Sequence, residues 1–423
     1  MRPLRFCMIT TFYPPYNFGG DGVGVQQLAR ALVKRGHGVS VICDIDAYQA
    51  LAEHPIAPDA ADRETADGVV VHRLQSRIGR MSLLLTQQTG MPVVHGSEIA
   101  RLVDDGHFDV IHFHNISLIG GPGVLSVGTA IKLYTAQEHW LVCPTHVLWR
   151  HRREPCPARQ CIRCQLRYHR PPQLWRLGGL LERQLSHVDA FIAMSEFSRA
   201  KHREFGFPRD MVVIPGFMPD AAPEEQAPPP SPHPRPYFLF VGRLERIKGL
   251  DDVIPAFAAY EDADLLIVGD GTHRATLEHL AEGNPRVRFV GHIPREQLDS
   301  YYRNALGLIV PSVGFETFGL VVIEAFHRGT PVIARRRGPL PELVELSQAG
   351  LLFDRGEELP GLLAALQRDP ARRDAFVRAA RAAIPAYWSE DVTLDRYLSL
   401  VEKSARIRGD QRVLRAFEAR AAS

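Results

Sequence analysis

The sequence has no run of apolar residues near the roughly 20 that a membrane-spanning helix needs, so the chain is not expected to cross a bilayer as a helix. It does not open on a leader pattern either. The apolar stretch in MRPLRFCMITTF is short and Pro14-Pro15 interrupts it soon after, so it reads as a first buried strand and the expected compartment is the cytoplasm. Charge of one sign is also missing: 50 Lys and Arg against 48 Asp and Glu leave +2, which argues against a chain built to coat nucleic acid. Cysteine is scarce, six in 423 residues, and in a reducing compartment these are not expected to form structural disulfides. What is present suits a globular enzyme: 45% apolar and 23% charged residues, a length that fits two large domains, and 34 Gly with 32 Pro to make many turns.

Along the chain, short apolar strands alternate with helical periodicity. Arg5 to Thr11 reads as a strand, Val25 to Arg35 as a helix with Val25, Leu28, Ala29, Leu32 and Val33 on one face, and His37 to Cys43 as the next strand. Further strands are expected at Val69–Arg73, Val110–His114, Lys132–Thr135, Ala190–Met194 and Met211–Pro215, so a first domain covers 1–218. Residues 219–236, PDAAPEEQAPPPSPHPRP, have no apolar periodicity and read as a linker. A second series follows over 237–385: strands at Tyr237–Val241, Asp264–Val268, Val287–Val290, Gly307–Val310 and Pro331–Ala334, with helices at Gly249–Ala259, Arg295–Ala305 and Leu320–Arg328. Residues 386–423 form an amphipathic helical tail headed by Trp388, expected to pack back on the first domain. Apolar strands joined by helices imply parallel sheets covered on both faces. The expected fold is α/β, two doubly wound Rossmann-like domains facing a cleft, with ligands outside the carboxyl ends of the strands.

Four ordered motifs in the second domain carry chemistry. In VGRLERIKG (241–249) a strand ends and Arg243 and Lys248 stand in the loop before a helix, where fixed cations and a helix N-terminus suit a diphosphate; taken alone it reads equally as a basic surface loop. VGDG (268–271) and FVGHIP (289–294) are strand-to-glycine turns at the rim of the cleft. In GFETFGLVVIEAFHRGTPVIA (314–334), Glu316 stands in a loop and Glu324 falls in the second turn of a helix beginning near Phe318. A carboxylate inside LVVIEAF must accept hydrogen bonds; a ribose diol supplies two donors, and a basic side chain is the competing partner.

This series resembles the donor domain of glycosyltransferase family 4, and the resemblance runs through nearly the whole chain, most strongly over about 237–355. It implies the glycosyltransferase B fold, retention of anomeric configuration, a UDP- or GDP-linked sugar as donor, and no metal or other cofactor for catalysis. It also implies roles for particular residues. Gly19 and Gly20, in TFYPPYNFGGDGVGVQQLARAL (11–32), approach the donor phosphates and sugar, and Arg243 and Lys248 bind the diphosphate. Glu316 contacts the transferred sugar, and Phe318, Gly319 and Leu320 the phosphate end. Glu324 holds the ribose, and His292 and Ile293 flank the base.

On the acceptor side, Asp21 reads as an acceptor contact or as an ordinary loop Asp. In DVIHFHN (109–115), His112 and His114 share a face, His114 toward an acceptor, with packing as the rival reading for at least one. The family has a His after the strand in LYTAQEHWLVCP (133–144), close to the reacting carbon. Aligning Trp140 and Cys143 puts Gln137 there; either His139, two residues on, takes the role by a register shift, or the role is only positional, or activity is reduced. Gln can hydrogen-bond a sugar hydroxyl but cannot titrate. Front-face attack, in which the leaving phosphate takes the acceptor proton, needs no protein base.

Cys143, Cys156, Cys161 and Cys164 are spaced C-x12-C-x4-C-x2-C, a pattern that suggests structural Zn²⁺, with His146 and His151 as substitute ligands and merely buried or redox-sensitive thiols as the competing reading. The same insertion, 143–186, carries Arg150, Arg152, Arg153, Arg159, Arg163, Arg167, Arg170, Arg176 and Arg183 against Glu154 and Glu182. A solvated loop is the plain reading. An anionic or lipid-linked hydroxyl acceptor, or peripheral contact with the inner membrane face, is the sharper one, with Trp149, Leu174 and Trp175 as anchors and the basic tail RIRGDQRVLRAFEAR in support. The expectation is thus a hexosyltransferase; its rivals are a non-catalytic sugar-nucleotide-binding or assembly protein of the same fold, and a phosphorylase, for which no pyridoxal-phosphate lysine stands out.

Overall fold

A computed structural model describes residues 3–52, 55–56, 62–219, 229–258 and 260–421. Most of the Pro-rich segment (220–228) and Ala259 lie outside the described residues.

The first half of the chain contributes β1 (Arg5–Ile9), β2 (Gly38–Asp44), β3 (Arg63–Ala66), β4 (Val69–Leu74), β5 (Val110–Phe113) and β6 (Ile131–Ala136). A small hairpin of β7 (Trp149–Arg150) and β8 (Glu154–Pro155) intervenes before β9 (Ala190–Ala193) and β10 (Met211–Val213) return to the sheet. The order is β10-β9-β6-β5-β1-β2-β4-β3, with only β3 antiparallel. Strands such as FCMI and VIHF are buried throughout, as a sheet covered on both faces requires. The order reverses between β1 and β5, and the loops leaving those strands open on the cleft.

The second sheet holds β11 (Tyr237–Val241), β12 (Asp264–Val268), β13 (Val287–Gly291), β14 (Leu308–Val310), β15 (Val332–Arg335) and β16 (Gly350–Phe353), all parallel, in the order β13-β12-β11-β14-β15-β16. This is the doubly wound 3-2-1-4-5-6 order, with its switch point between β11 and β14.

Three local expectations are corrected. The stretch after Lys248 is a chain of 3₁₀ turns, Leu250–Asp252 and Ile254–Phe257, not an α-helix: Gly249 is left-handed at φ 74°, and Pro255 has no N–H to give. The helix expected from Arg295 starts as a 3₁₀ turn, Arg295–Gln297, and becomes α only over Leu298–Arg303. Strands β3 and β16 were not foreseen. β3 is polar and exposed, yet Asp67-Gly68 between it and β4, both at positive φ, is the two-residue turn chemistry of a hairpin.

Helix Gly20–Lys34 covers one face of the first sheet through Val25, Leu28, Ala29 and Leu32. Helices Glu390–Arg408 and Gln411–Ala421 share that core through Leu394, Tyr397, Val401, Val413 and Phe417. The chain crosses between the sheets twice, and the crossings meet: Met218 N–H donates to Trp388 C=O at 2.9 Å, and Trp388 stacks on Phe326 in the second domain.

Inside the shared core, Tyr397 OH lies 3.0 Å from His112 Nδ1, and His112 Nε2 lies 2.8 Å from Thr135 Oγ1, all buried. Tyr397→Phe leaves one imidazole nitrogen without its partner, so we expect a loss of about 1–2 kcal/mol in urea denaturation. Unchanged stability would mean that the tail helix does not lean on this chain of bonds.

Candidate active site

The four motifs of the second sheet meet at the carboxyl ends of its strands, and their backbones interlock. Gly269 fits against the turn after β11 so closely that a Cβ there would stand 1.9 Å from Gly242 O. Leu244 N–H donates to Asp270 C=O at 2.8 Å, joining the VGR and VGDG turns. Ile247 C=O accepts from Val313 N–H (2.9 Å) and Gly314 N–H (3.0 Å), which brings the Lys248 turn to the Glu316 loop. Lys248 Nζ is then 2.9 Å from Glu316 Oε1, and Ser312 Oγ donates to the same oxygen at 2.5 Å. Burial would raise the Glu316 carboxyl, but Lys248, Ser312 and Arg243 outweigh it and hold the group below the usual carboxylate range. Arg243 is 56% exposed and ion-pairs with Glu245 at 2.8 Å.

Glu324 falls in the second turn of helix Leu320–His327. Its carboxylate already has partners: Arg295 donates to Oε1 at 3.0 Å and the Tyr302 hydroxyl to Oε2 at 3.3 Å. The basic-partner reading is therefore realised in part, and each oxygen keeps acceptor capacity for a further donor. His292 is exposed and Ile293 half-buried in the turn leaving β13.

The first domain presents the N-terminus of helix Gly20–Lys34 to this cluster. Gly19 caps it at φ 132°, with no atom of the described residues beyond its chain neighbours within 4 Å of where a Cβ would stand, and a Cβ on Gly20 would lie 2.9 Å from Leu320 Cδ1 of the second domain. Burial and then the Glu138 carboxylate raise the Asp21 carboxyl, while Arg243, from the opposite domain, and Asn115 offset them. Gln137 Nε2 donates to Asp21 C=O at 3.1 Å, and Gln137 C=O accepts from Thr317 Oγ1 at 2.7 Å. Thr317 C=O accepts from Ser195 Oγ at 2.7 Å. Glu342 caps helix Glu196–Glu204 from across the cleft, accepting from Glu196 N–H (3.1 Å) and Phe197 N–H (2.6 Å). The two sheets thus close on each other around Glu316 and Thr317.

Two family patterns divide the chain: "Glycosyltransferase Family 4" matches residues 18–221 and "Glycosyl transferases group 1" matches residues 222–383. The lipopolysaccharide core biosynthesis glycosyltransferase LpsD of Rhizobium meliloti is 31% identical over 54% of this chain and 68% of its own. The chain belongs to glycosyltransferase family 4. Solved structures of the transferase's fold include sucrose-phosphate synthase of Thermosynechococcus elongatus (TM-score 0.71, 22% identity, 95% of this chain and 98% of that one) and HepE of Anabaena in complex with UDP and glucose (TM-score 0.62, 17% identity, 95% and 100%). Those neighbours have the glycosyltransferase B architecture seen here.

Other expected residues fall elsewhere. In the transferase His139 is buried against His202, ring centroids 5.4 Å apart; burial pushes it down to about 3, with the Phe315 backbone offsetting part of that, so it is neutral and packed under the seam. Gln137, not His139, faces the helix N-terminus. His114 is likewise buried, 4.0 Å from the His112 ring, and burial pushes it down to about 3. The thiols of Cys143, Cys156, Cys161 and Cys164 are free and gathered in one region: Cys143 Sγ lies 3.3 Å from Thr145 Oγ1, and His151 N–H donates to Cys164 Sγ at 3.3 Å. Among the described residues, however, no three of their sulfurs lie within 4.8 Å of one another, whereas Zn–S bonds of about 2.3 Å would hold all four closer than that. The described arrangement is not a closed zinc site. Trp149 is buried, which removes it as a surface anchor.

Sequence reasoning missed Ser312, Ser195, Asn115 and Glu342; Thr317 lay inside the quoted motif without a role. It also missed Asp44, Asp46 and His95, the one group among the described residues with three such donor atoms within 4.8 Å. Asp44 caps helix Ile45–Leu51, and its buried Oδ2 has no partner. Burial raises Asp44 to about 7, with His95 offsetting part of that. A carboxyl raised from 3.8 holds its proton in the folded chain where the unfolded chain has lost it. Its contribution to stability is therefore present below pH 3.8 and lost as pH rises toward about 7. Asp44→Asn should gain on the parent enzyme by on the order of 2 kcal/mol between about pH 5 and pH 8 in chemical denaturation; parallel profiles would contradict the assignment.

Proposed function

We propose that the transferase moves a hexosyl group from a UDP- or GDP-linked sugar to a hydroxyl acceptor with retention of configuration. The observation that carries this is the Lys248–Glu316–Ser312 cluster, with Arg243 beside it, facing the open N-terminus of helix Gly20–Lys34. A diphosphate between them meets two cations on one side and backbone N–H groups with a helix dipole on the other. Glu316, kept ionised, accepts hydrogen bonds from hydroxyls of the transferred sugar, and the spare acceptor sites of Glu324 take a ribose diol. The UDP and glucose bound in the HepE structure support the donor class.

In this reading the acceptor attacks from the face the phosphate leaves. The bond from the anomeric carbon to the β-phosphate oxygen breaks, the bond to the acceptor oxygen forms, and the acceptor proton passes to the departing phosphate. Arg243 and Lys248 stabilise the charge that develops there, in place of a metal ion. No protein base is required, which accords with Gln137 at the position beside Asp21. Gln137 and Asp21 position the acceptor, of which an anionic or lipid-linked saccharide and a small metabolite are the classes proposed.

Glu316→Ala and Lys248→Ala should each lower turnover by roughly a thousandfold, with melting temperatures near the parent's, in an assay of nucleoside-diphosphate release over a panel of donors and acceptors. Full activity in both would overturn the assignment. Donor binding without turnover on any acceptor would favour a non-catalytic binder. The anomeric form of the product, read by NMR, tests retention: a β-linked product from an α-linked donor excludes the front-face route.

A further inference from the structure

Exposed large apolar side chains on this protein are not scattered evenly. Ile78, Met81, Leu84, Met91 and Val93 lie on and around helix Arg80–Thr89, and Ile162, Leu166, Leu174 and Leu177 lie in the insertion. These two segments are distant in sequence but tied together. Pro171 C=O accepts from Gln87 Nε2 (2.9 Å) and from Gln165 Nε2 (3.2 Å), and Trp175 Nε1 donates to Gln87 C=O at 2.9 Å. In helix Cys161–Arg167 the division is clean: Cys164 and Gln165 are buried, while Ile162, Arg163, Leu166 and Arg167 face outward. Leu174 and Leu177 are 62% and 74% exposed on the short turn that follows.

The two segments carry charge of one sign, and the exposed Glu182 beside Ile162, Arg163 and Leu177 is the carboxylate at their border. No Asp or Glu occurs in 68–97 or in 155–181. Arg77, Arg163, Arg167 and Arg170 are exposed, and none makes an ion pair among the described residues. Arg176 is excluded, since it stacks between Trp140 and Trp175 and donates to Trp140 C=O at 2.8 Å. The basic tail is a useful contrast. Its apolar side, Val413, Ala416 and Phe417, is buried in the first domain, and Arg408 and Arg412 are engaged by Asp189 and Asp109. The tail's face is spent inside the molecule, and the face on the insertion is not.

We propose that this face, formed by helix Arg80–Thr89 and the 159–177 segment, docks the transferase on an anionic lipid bilayer. Leu174, Leu177, Ile162 and Leu166 enter the headgroup–acyl boundary, and Arg163, Arg167, Arg170 and Arg77 meet anionic headgroups. Apolar burial and headgroup attraction act together in interfacial binding, and the second fades with salt. A protein partner would be expected to answer the arginines with its own carboxylates; a bilayer answers both halves of the surface and has no fixed shape to match. The inference does not rest on the donor reading.

The full chain is to be mixed with vesicles of phosphatidylcholine alone and of phosphatidylcholine with phosphatidylglycerol, and the bound fraction read by co-sedimentation. Binding to the anionic vesicles is expected, at least about tenfold tighter than to neutral ones, and reduced at high salt. Leu174→Ser with Leu177→Ser, and separately Arg163→Ser with Arg167→Ser, should each weaken it about tenfold, while Ile407→Ser, 77% exposed on the tail helix, leaves it unchanged. Equal binding to both vesicle types, no binding to either, or full binding by both double variants overturns the proposal. So does concentration-dependent self-association of the parent that the Leu174/Leu177 variant abolishes without any vesicle binding, because the face would then be covered by a second copy. Donor binding by thermal shift, unaltered in these variants, keeps a failure here separate from a failure of the proposed transfer.

Discussion

Glu316 sits half-buried in a loop between the two sheets, and a carboxylate so placed must be answered by donors. Lys248 and Ser312 answer one of its oxygens directly. That requirement organises the second domain's upper edge. Lys248 arrives on a 3₁₀ turn ended by left-handed Gly249, and the turn is held to the Glu316 loop by two bonds to one carbonyl, Ile247. The VGDG turn is pressed onto the VGR turn so tightly that only a residue without a Cβ fits at 269. A charged cluster of this kind gains little by itself, since desolvation offsets attraction. In the proposed transfer its value lies in being already arranged when a charged donor comes.

The closure of one domain on the other uses polar contacts set around that same loop. Thr317, next to Glu316, spends its hydroxyl on Gln137 and its carbonyl on Ser195. Glu342 supplies a carboxylate to a helix N-terminus in the first domain. Small residues keep the approach close: a Cβ on Gly20 or on Gly216 would stand 2.9 Å from a methyl of Leu320, which would have to shift. The Glu316 loop and the domain seam are therefore one structure, and whatever moves the loop acts on the seam.

Much of this was legible in the residues. Two strands of the second sheet, β11 and β12, fall where apolar runs between turn signals put them, because a strand buried on both faces has little choice of sequence. Lys248 and Glu316, singled out in separate motifs for different parts of a donor, lie 2.9 Å apart. What could not be read depends on distance in space. Glu324 has Arg295 and Tyr302 for partners, 29 and 22 residues away, and no local pattern announces them. His139 looked available in sequence and is sealed under His202. The zinc spacing was visible, but spacing does not fix where four sulfurs point. Edge strand β3 was hidden because its residues are polar, although its Asp67-Gly68 turn was in plain view.

The tail helices bear on how the chain is made. Leu394, Tyr397, Val401, Val413 and Phe417 belong to the same core as Phe6, Leu28 and Val41. During synthesis from the N-terminus, the first domain emerges early but lacks one wall of its core until the two tail helices leave the ribosome. Until then the second domain can close its own sheet while the first waits with an apolar face open. The domain that comes first in the sequence is thus the one that finishes last, and a chain truncated before the tail leaves that face uncovered.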